Sequence, residues 1–322
     1  MPRVSIVVSA YNTLKTLPET IDSLLQQTYA DFEVVVVDDG STDRTAEWVL
    51  SHSDTRLRLV RQINRGLAGA RNGGIAATDS EYVGFCDGDD LWEPEKLAKH
   101  VAFLDANRDV GLTYSGSMLI DESGMPIGLV QKPKTDDITP RDVLLRNPVG
   151  NGSSPVIRRA CLDDIVFRPS GETRDQWFDE TFRQSEDIEC WVRIALTTSW
   201  RIAGTDEPLM RYRILSSGLS ANLMKQFSSW TRVAKRVQEL SPEFAEANLS
   251  AARAYQLRYL ARRAVTLGCG KTACILMWKS IISSRHPLFR EPVKTLTTVG
   301  AATTLALGGG WLVRRALGGR LA

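Results

Sequence analysis

Short apolar runs without alternation open the chain and recur at a spacing that helices fill. Val4 to Ser9 is dominated by β-branched residues, as expected of a strand buried on both faces of a parallel sheet. Glu33 to Val37, Leu57 to Val60 and Tyr82 to Phe85 repeat the pattern. Between them, Leu17 to Gln27 sets Leu17, Ile21, Leu24 and Leu25 at helical spacing behind Pro18, and Leu67 to Ala77 reads as a helix of small residues carrying Arg71 and Asn72. Another helix carries Ala46, Val49 and Leu50, with Thr42 or Asp43 placed to accept from its free N–H groups. Strands alternating with helices in this way predict an open α/β sheet with right-handed crossovers.

From Gly111 to about Arg213 the pattern is mixed. Leu112 to Ile120 reads as a strand, Asp121 to Gly124 as a turn, and Ile138 to Leu145 as a short helix capped by Thr139. Asn147 to Arg158 is a loop followed by a strand, Asp187 to Thr197 a helix, and Trp200 to Ala203 and Leu209 to Tyr212 two closing strands. Beyond Gln226 everything reads as helix, notably Phe244 to Val265 and Cys274 to Ile282. Leu296 to Val313 is an uncharged window of 18 residues between Lys294 and Arg314-Arg315. Its length just reaches the spanning range, while three consecutive glycines and four threonines dilute it, so a span, an interfacial or re-entrant helix and a packed helix all stay open. The domains expected are a catalytic 1–224 and a helical 225–322.

The polar clusters fall where chemistry belongs in such a sheet. Ser9-Ala10-Tyr11-Asn12, Asp38-Asp39, Asn64-Arg65-Gly66 and Asp87-Gly88-Asp89-Asp90 each follow a predicted strand, and open α/β sheets bind ligands outside the carboxyl ends of their strands. The last cluster sets three carboxylates at the end of a buried run, which is costly without a counter-ion. Mg²⁺ or Mn²⁺ is the natural partner, since hard cations bind through one or two carboxylates plus substrate phosphates.

Composition narrows the class. At 322 residues, 43% hydrophobic and 24% charged, the chain is an ordinary globular protein of about two domains. Five scattered cysteines without a CxxC pair fit a reduced compartment, and His52, His100 and His286 show no zinc spacing, so acid–base work falls to carboxylates. The net charge of +2 hides an asymmetry: residues 225–322 hold 16 Lys and Arg against 4 Asp and Glu, the remainder 24 against 34. A basic, apolar back third suits an anionic membrane surface, and no nucleic-acid motif accompanies the charge. Met1-Pro2-Arg3 runs straight into a strand too short for a signal core, so a cytoplasmic protein is expected, peripheral to or anchored in the inner face of the inner membrane.

Taken in order, Val-Ser-Ile-Val-Val-Ser-Ala-Tyr-Asn at 4–12, Val-Asp-Asp-Gly-Ser-Thr-Asp at 37–43, Asn-Arg-Gly-Leu-Ala-Gly-Ala-Arg-Asn at 64–72, Asp-Gly-Asp-Asp-Leu-Trp-Glu-Pro at 87–94, Ser-Glu-Asp-Ile-Glu at 185–189 and Tyr-Arg at 212–213 resemble the inverting family 2 glycosyltransferases of the GT-A fold. The resemblance runs from about Val4 to Ser220 and implies a Rossmann-like mixed sheet flanked by helices, with the helical region behind it. It implies an enzyme that moves a sugar from a nucleoside diphosphate, by family habit UDP, to a hydroxyl of a glycan or lipid-linked acceptor.

The same resemblance implies residue roles. Asp89 would hold a divalent cation, Mn²⁺ or Mg²⁺, with Asp87 near the ribose or the metal. Asp38 and Asp39 would accept from the base or ribose, Ala10 and Tyr11 would hold the nucleoside by backbone and aromatic face, and Arg71 would reach the nucleotide. Asp90 is expected to cap the following helix or support Asp89. Asp187 matches the general base; Glu186 beside it raises its proton affinity and the helix N-terminus lowers it, two opposed influences that sequence leaves unsigned. Arg213 would bind diphosphate, although Ile214 stands where relatives often carry histidine. A sugar nucleotidyltransferase should show a glycine-rich loop after its first strand, and Ser9 to Thr13 contains no glycine. A non-catalytic nucleotide-binding or membrane-scaffold protein would tolerate loss of Asp89 or Asp187, and both are present.

Overall fold

The computed structural model describes residues 1–215 and 223–316; the end of the resemblance, Ser216 to Ser220, lies outside them. Two compact units form, Met1–Val143 with Asn147–Gly218 and Leu144–Arg146 with Leu219–Ala322. The chain begins with β1 (Val4–Ala10), α1 (Leu17–Leu25), β2 (Phe32–Asp38), α2 (Thr45–Leu50), β3 (Leu57–Arg61), α3 (Gly66–Ala76) and β4 (Tyr82–Asp87). It continues through β5 (Leu91–Trp92), α4 (Lys96–Ala106), β6 (Val110–Ile120), β7 (Pro126–Gln131), α5 (Pro140–Arg146), β8 (Val156–Arg158), α6 (Arg159–Ile165), α7 (Glu186–Thr197) and β9 (Arg201–Arg213).

The strands make one mixed sheet in the order β3-β2-β1-β4-β8-β6-β9-β5, with β7 beside β6. β1 is buried along its whole length, which explains its unbroken apolar run, and it pairs in parallel with β2 on one side and β4 on the other. Crossovers therefore leave β1 in opposite directions, and the crevice outside Ala10 and Asp87, the ends of β1 and β4, is the switch point where such sheets take ligands. Val4, Ile6 and Val8 pack with Leu17, Ile21 and Leu24 of α1 in the core. On α3 the small residues serve close approach: a Cβ at Gly74 would stand 2.2 Å from Val7 Cγ1. The helix that carries Arg71 thus lies directly on the central strand.

One expectation about the sheet needs correction. The closing strands 200–203 and 209–212 are parts of one strand, β9, whose polar stretch Thr205 to Pro208 is absorbed by register shifts opposite Ser115, Gly116 and Ser117. The expected caps are present: Asp43 accepts from Thr45 N at 3.0 Å at the start of α2, and Thr139 caps α5 in a reciprocal box with Asp142.

The second unit is helical: α8 (Leu223–Leu240), α9 (Pro242–Thr266), α10 (Gly270–Ser283), α11 (His286–Arg290), α12 (Pro292–Ala306) and α13 (Gly310–Ala316). The 296–313 window is not one helix. α12 stops at Ala306, Gly308 takes a left-handed φ of +87°, and α13 starts afresh at Gly310. Among the described residues no helix is long and apolar enough to cross a membrane, which overturns the spanning alternative.

Candidate active site

The loops after β1, β2 and β4 meet at the switch point. Asp39 N donates to Ala10 O at 2.9 Å and Gly88 N to Ser9 O at 3.0 Å, so three strand ends are tied edge to edge. Asp38 is buried; its Oδ1 accepts from Ser41 N at 3.0 Å, and Arg61 Nε stands 3.6 Å from Oδ2. Asp39, also buried, accepts from Arg65 N at 2.9 Å, Gly66 N at 2.8 Å and Gln62 Nε2 at 2.6 Å, anchoring the Asn64–Gly66 loop at the start of α3. Tyr11 stands half-exposed on the rim, beside Asn12 in the left-handed region.

Arg71 is the centre of the site. Its guanidinium, 2% exposed, donates through Nη1 to Glu186 Oε1 at 2.7 Å and through Nη2 to Asp87 Oδ1 at 3.0 Å. Burial works against its charge, yet the pull of Asp87, Glu186 and Asp187 prevails and holds its pKa above the ordinary value. The end of β4 and the first turn of α7 are thereby joined through one cation. An aromatic series supports the same junction: Phe85 of β4 meets Phe178 edge-on at 5.5 Å, Phe178 meets Trp191 of α7 at 5.7 Å, and Arg71 lies over the Phe178 ring. Asn72 fixes that segment, accepting from Trp177 N and Phe178 N and donating to Phe178 O at 2.8 Å.

The net shift of Asp187 now has a sign, set first by burial rather than by Glu186. Withdrawal from water raises its carboxyl pKa, Arg71 opposes this, and the Asp87 charge adds to the rise. Glu186 is pushed up to about 7 chiefly by burial, against the pull of Arg71. Both groups hold a proton more tightly than ordinary carboxyls.

At the acid loop, Asp89 is raised to about 6 by burial and the Asp87 charge. No described group outside its own residue donates to that carboxylate. Asp90 corrects an expectation: rather than capping α4, its Oδ1 accepts from Arg213 N at 2.9 Å and ties β9 to the loop. The Arg213 side chain is buried and fully engaged, donating to Asp89 O at 2.8 Å, Glu19 Oε2 at 2.6 Å and the carbonyls of Asp121 and Glu122. Among the described residues no three His, Cys, Asp or Glu side chains group to hold a metal. A hard cation that shares phosphate oxygens needs only one or two carboxylates, and Asp89, a partly buried acid that no basic side chain bonds through its carboxylate, fits that donor set.

Sequence reading had no role for several residues that build this site. Ser153 Oγ accepts from Asp87 N at 2.9 Å, Trp92 Nε1 donates to Ser153 O at 3.0 Å, and a Cβ at Gly152 would fall 1.9 Å from Arg71 Nη2. The small polar run Asn151-Gly152-Ser153-Ser154 before a strand was the available signal. Glu186 and Asn72 lay inside quoted motifs, but nothing local marked them as partners of Arg71 and Phe178.

Comparison with known proteins agrees with this architecture. The family model described as Glycosyl transferase family 2 matches residues 5–163. UDP-Glc:alpha-D-GlcNAc-diphosphoundecaprenol beta-1,3-glucosyltransferase WfgD of Escherichia coli is 30% identical over 224 residues, covering 69% of this chain and 81% of that protein. The crystal structure of S. aureus TarS 1-349 in complex with UDP-GlcNAc superposes with a TM-score of 0.64 at 18% identity, over 95% of this chain and 92% of that one. Mannosyltransferase PcManGT from Pyrobaculum calidifontis, in complex with GDP-Man and Mn2+, gives 0.57 at 21% identity over 96% and 87%. The structural likenesses establish the GT-A fold; with the relatives in sequence, they place the chain in glycosyltransferase family 2, and it is a glycosyltransferase.

Proposed function

We propose that this transferase inverts: it moves a sugar from a nucleoside diphosphate, UDP in the first instance, to a hydroxyl of a glycan or lipid-linked acceptor. Arg71 carries the reading, because one buried cation joins Asp87 on the donor side to the first turn of α7, where Asp187 can meet the acceptor. Ala10, Tyr11, Asp38 and the loop fixed by Asp39 form the nucleoside end. Asp187 takes the acceptor proton as the hydroxyl oxygen attacks the anomeric carbon opposite the departing diphosphate, and its raised proton affinity suits a general base. Asp89, with Asp87 in support, is where Mn²⁺ or Mg²⁺ would be held, and such a cation supplies charge against the leaving diphosphate. Arg213 holds the acid loop by the Asp89 carbonyl and adds positive charge beside that carboxylate. Residues 1–224 are the catalytic domain in this reading and 225–322 serve association with the cytoplasmic face of the membrane, where a polyprenyl-linked acceptor and envelope polysaccharide assembly would lie.

The test is transfer from labelled UDP-glucose and UDP-N-acetylglucosamine, with Mn²⁺, to a polyprenyl diphosphate sugar, with the new linkage read by NMR. Inversion at the anomeric carbon is expected. Retention, or UDP release with no sugar on any acceptor, would overturn the reading.

A further inference from the structure

The second unit turns a helix face to water that elementary rules would bury. On α10, Gly270, Ala273, Met277 and Ser280 face inward, and Ser280 Oγ donates to Ala254 O of α9 at 2.7 Å. The opposite stripe, at steps of four, three and four, is Lys271, Ile275, Trp278 and Ile282. Ile275 is 55% exposed, Trp278 64% and Ile282 64%, the reverse of a solvated amphipathic helix. Phe289 and Trp311 are likewise exposed, at 74% and 62%, on α11 and α13. Among the described residues, every exposed tryptophan and phenylalanine lies in this unit, whereas the first unit exposes other apolar groups, three of them (Met125, Ile127 and Val130) on the β6–β7 hairpin.

Charge decides what covers this face. From residue 247 to 290 the chain has eight Lys and Arg and no Asp or Glu, and exposed Lys271 begins the stripe while exposed Lys279 stands beside it. A second copy would bring like charge against like charge, and a nucleic acid would leave the isoleucines uncovered. We infer that the α10 stripe, with Phe289 and Trp311, docks on an anionic lipid bilayer, the aromatic and aliphatic side chains entering the headgroup boundary and the lysines meeting lipid phosphates. With no described helix able to span, the unit lies on the surface. The inference deepens the lipid-linked acceptor reading, but vesicles free of any acceptor or donor test it separately.

The experiment is flotation of the full chain with phosphatidylcholine vesicles, with and without about a third phosphatidylglycerol, beside sedimentation velocity of the protein alone. Binding to the anionic vesicles is expected, weakening with salt. Trp278→Ser with Ile282→Ser should weaken it by at least about tenfold, since each large side chain withdrawn from water is worth roughly a decade. Lys271→Glu with Lys279→Glu should weaken it most at low salt. Both variants should keep the wild-type melting temperature and UDP-sugar affinity. The inference is overturned if wild type ignores anionic vesicles, if both folded variants bind like wild type, or if wild type is a dimer that Trp278→Ser with Ile282→Ser dissolves while vesicle binding is absent.

Discussion

Arg71 Nη1 donates to Glu186 Oε1 at 2.7 Å across 115 positions of sequence, the contact that closes the site. Removing the cation strands Asp87 and Glu186 near each other. Arg71→Met should cost about 3–5 kcal/mol of stability, the usual penalty for leaving buried charge unpaired. Arg71→Lys should recover part of the stability but little of the turnover, because an ammonium cannot reproduce the fork that spans two carboxylates. Urea denaturation beside steady-state rates checks both; a fully active Arg71→Met enzyme would remove this residue from the site.

Asp187→Asn should leave donor affinity within about twofold and lower kcat by roughly 10²–10⁴, the range for a lost general base. The base works deprotonated and its proton affinity is raised, so wild-type kcat/KM should climb with pH through a region above that of an ordinary carboxylate, where Asp187 releases its proton. Glu186 is pushed up to about 7 in part by an already ionised Asp187, so Glu186→Gln should leave the Asp187 limb in place and remove any inflection near 7. An inflection near 7 that survives Glu186→Gln would show that Glu186 does not govern it.

Asp89 is raised to about 6 by burial and the Asp87 charge, against the pull of Arg213, so an added cation gains more here than at an ordinary carboxylate. EDTA should abolish transfer, Mn²⁺ should restore it, and Asp89→Ala should not recover at any Mn²⁺ concentration. Calorimetry of Mn²⁺ with UDP present reads the same point without turnover, and equal Mn²⁺ uptake by Asp89→Ala would place the ion elsewhere.

Gly152→Ala tests the packing around Arg71, since the added methyl would sit 1.9 Å from Nη2. The guanidinium must move away from Asp87, and turnover should fall at least about tenfold while the sheet stays folded, a loss that overpacking by one methyl readily causes. Wild-type rates would mean that Arg71 has room the present geometry denies it.

How much of this was legible in sequence follows from the range of each interaction. β1, β2 and β4 announced themselves because strands buried on both faces must be continuous apolar runs, and the polar residues ending them had one edge to occupy. β9 was read as two strands because Asp206, Glu207 and Pro208 break the apolar pattern, and only the partner strand reveals the shifts that accommodate them. The split of 296–313 follows from Gly308 adopting a positive φ, which composition permits without requiring. The partners of Glu186, Asn72 and Ser153 stayed hidden because each lies far along the chain: Arg71 is 115 positions from Glu186, and Asp87 is 66 from Ser153.

Lys96 opens α4. It is fully buried, and its Nζ donates to Ser154 O at 2.7 Å and Ser115 Oγ at 3.2 Å, faces His100 Nε2 at 3.1 Å and lies over the Trp92 ring. No carboxylate among the described residues pairs with it, and burial lowers its pKa from 10.5 to about 7. Between those values the unfolded chain carries a proton that the folded protein lacks, so this group makes stability rise with pH from about 7 toward 10.5 and withdraws that stability as pH falls back over the same range. Lys96→Met keeps the length of the side chain and removes the titration. Subtracting its urea stability from that of wild type at pH 6.5, 8 and 9.5, so that shared groups cancel, should leave a difference that moves by a few kcal/mol in favour of wild type as pH rises, because each pH step of one across that range contributes about 1.4 kcal/mol. A flat difference would mean that Lys96 keeps its charge in the core, held by Ser154, Ser115 and the Trp92 ring alone.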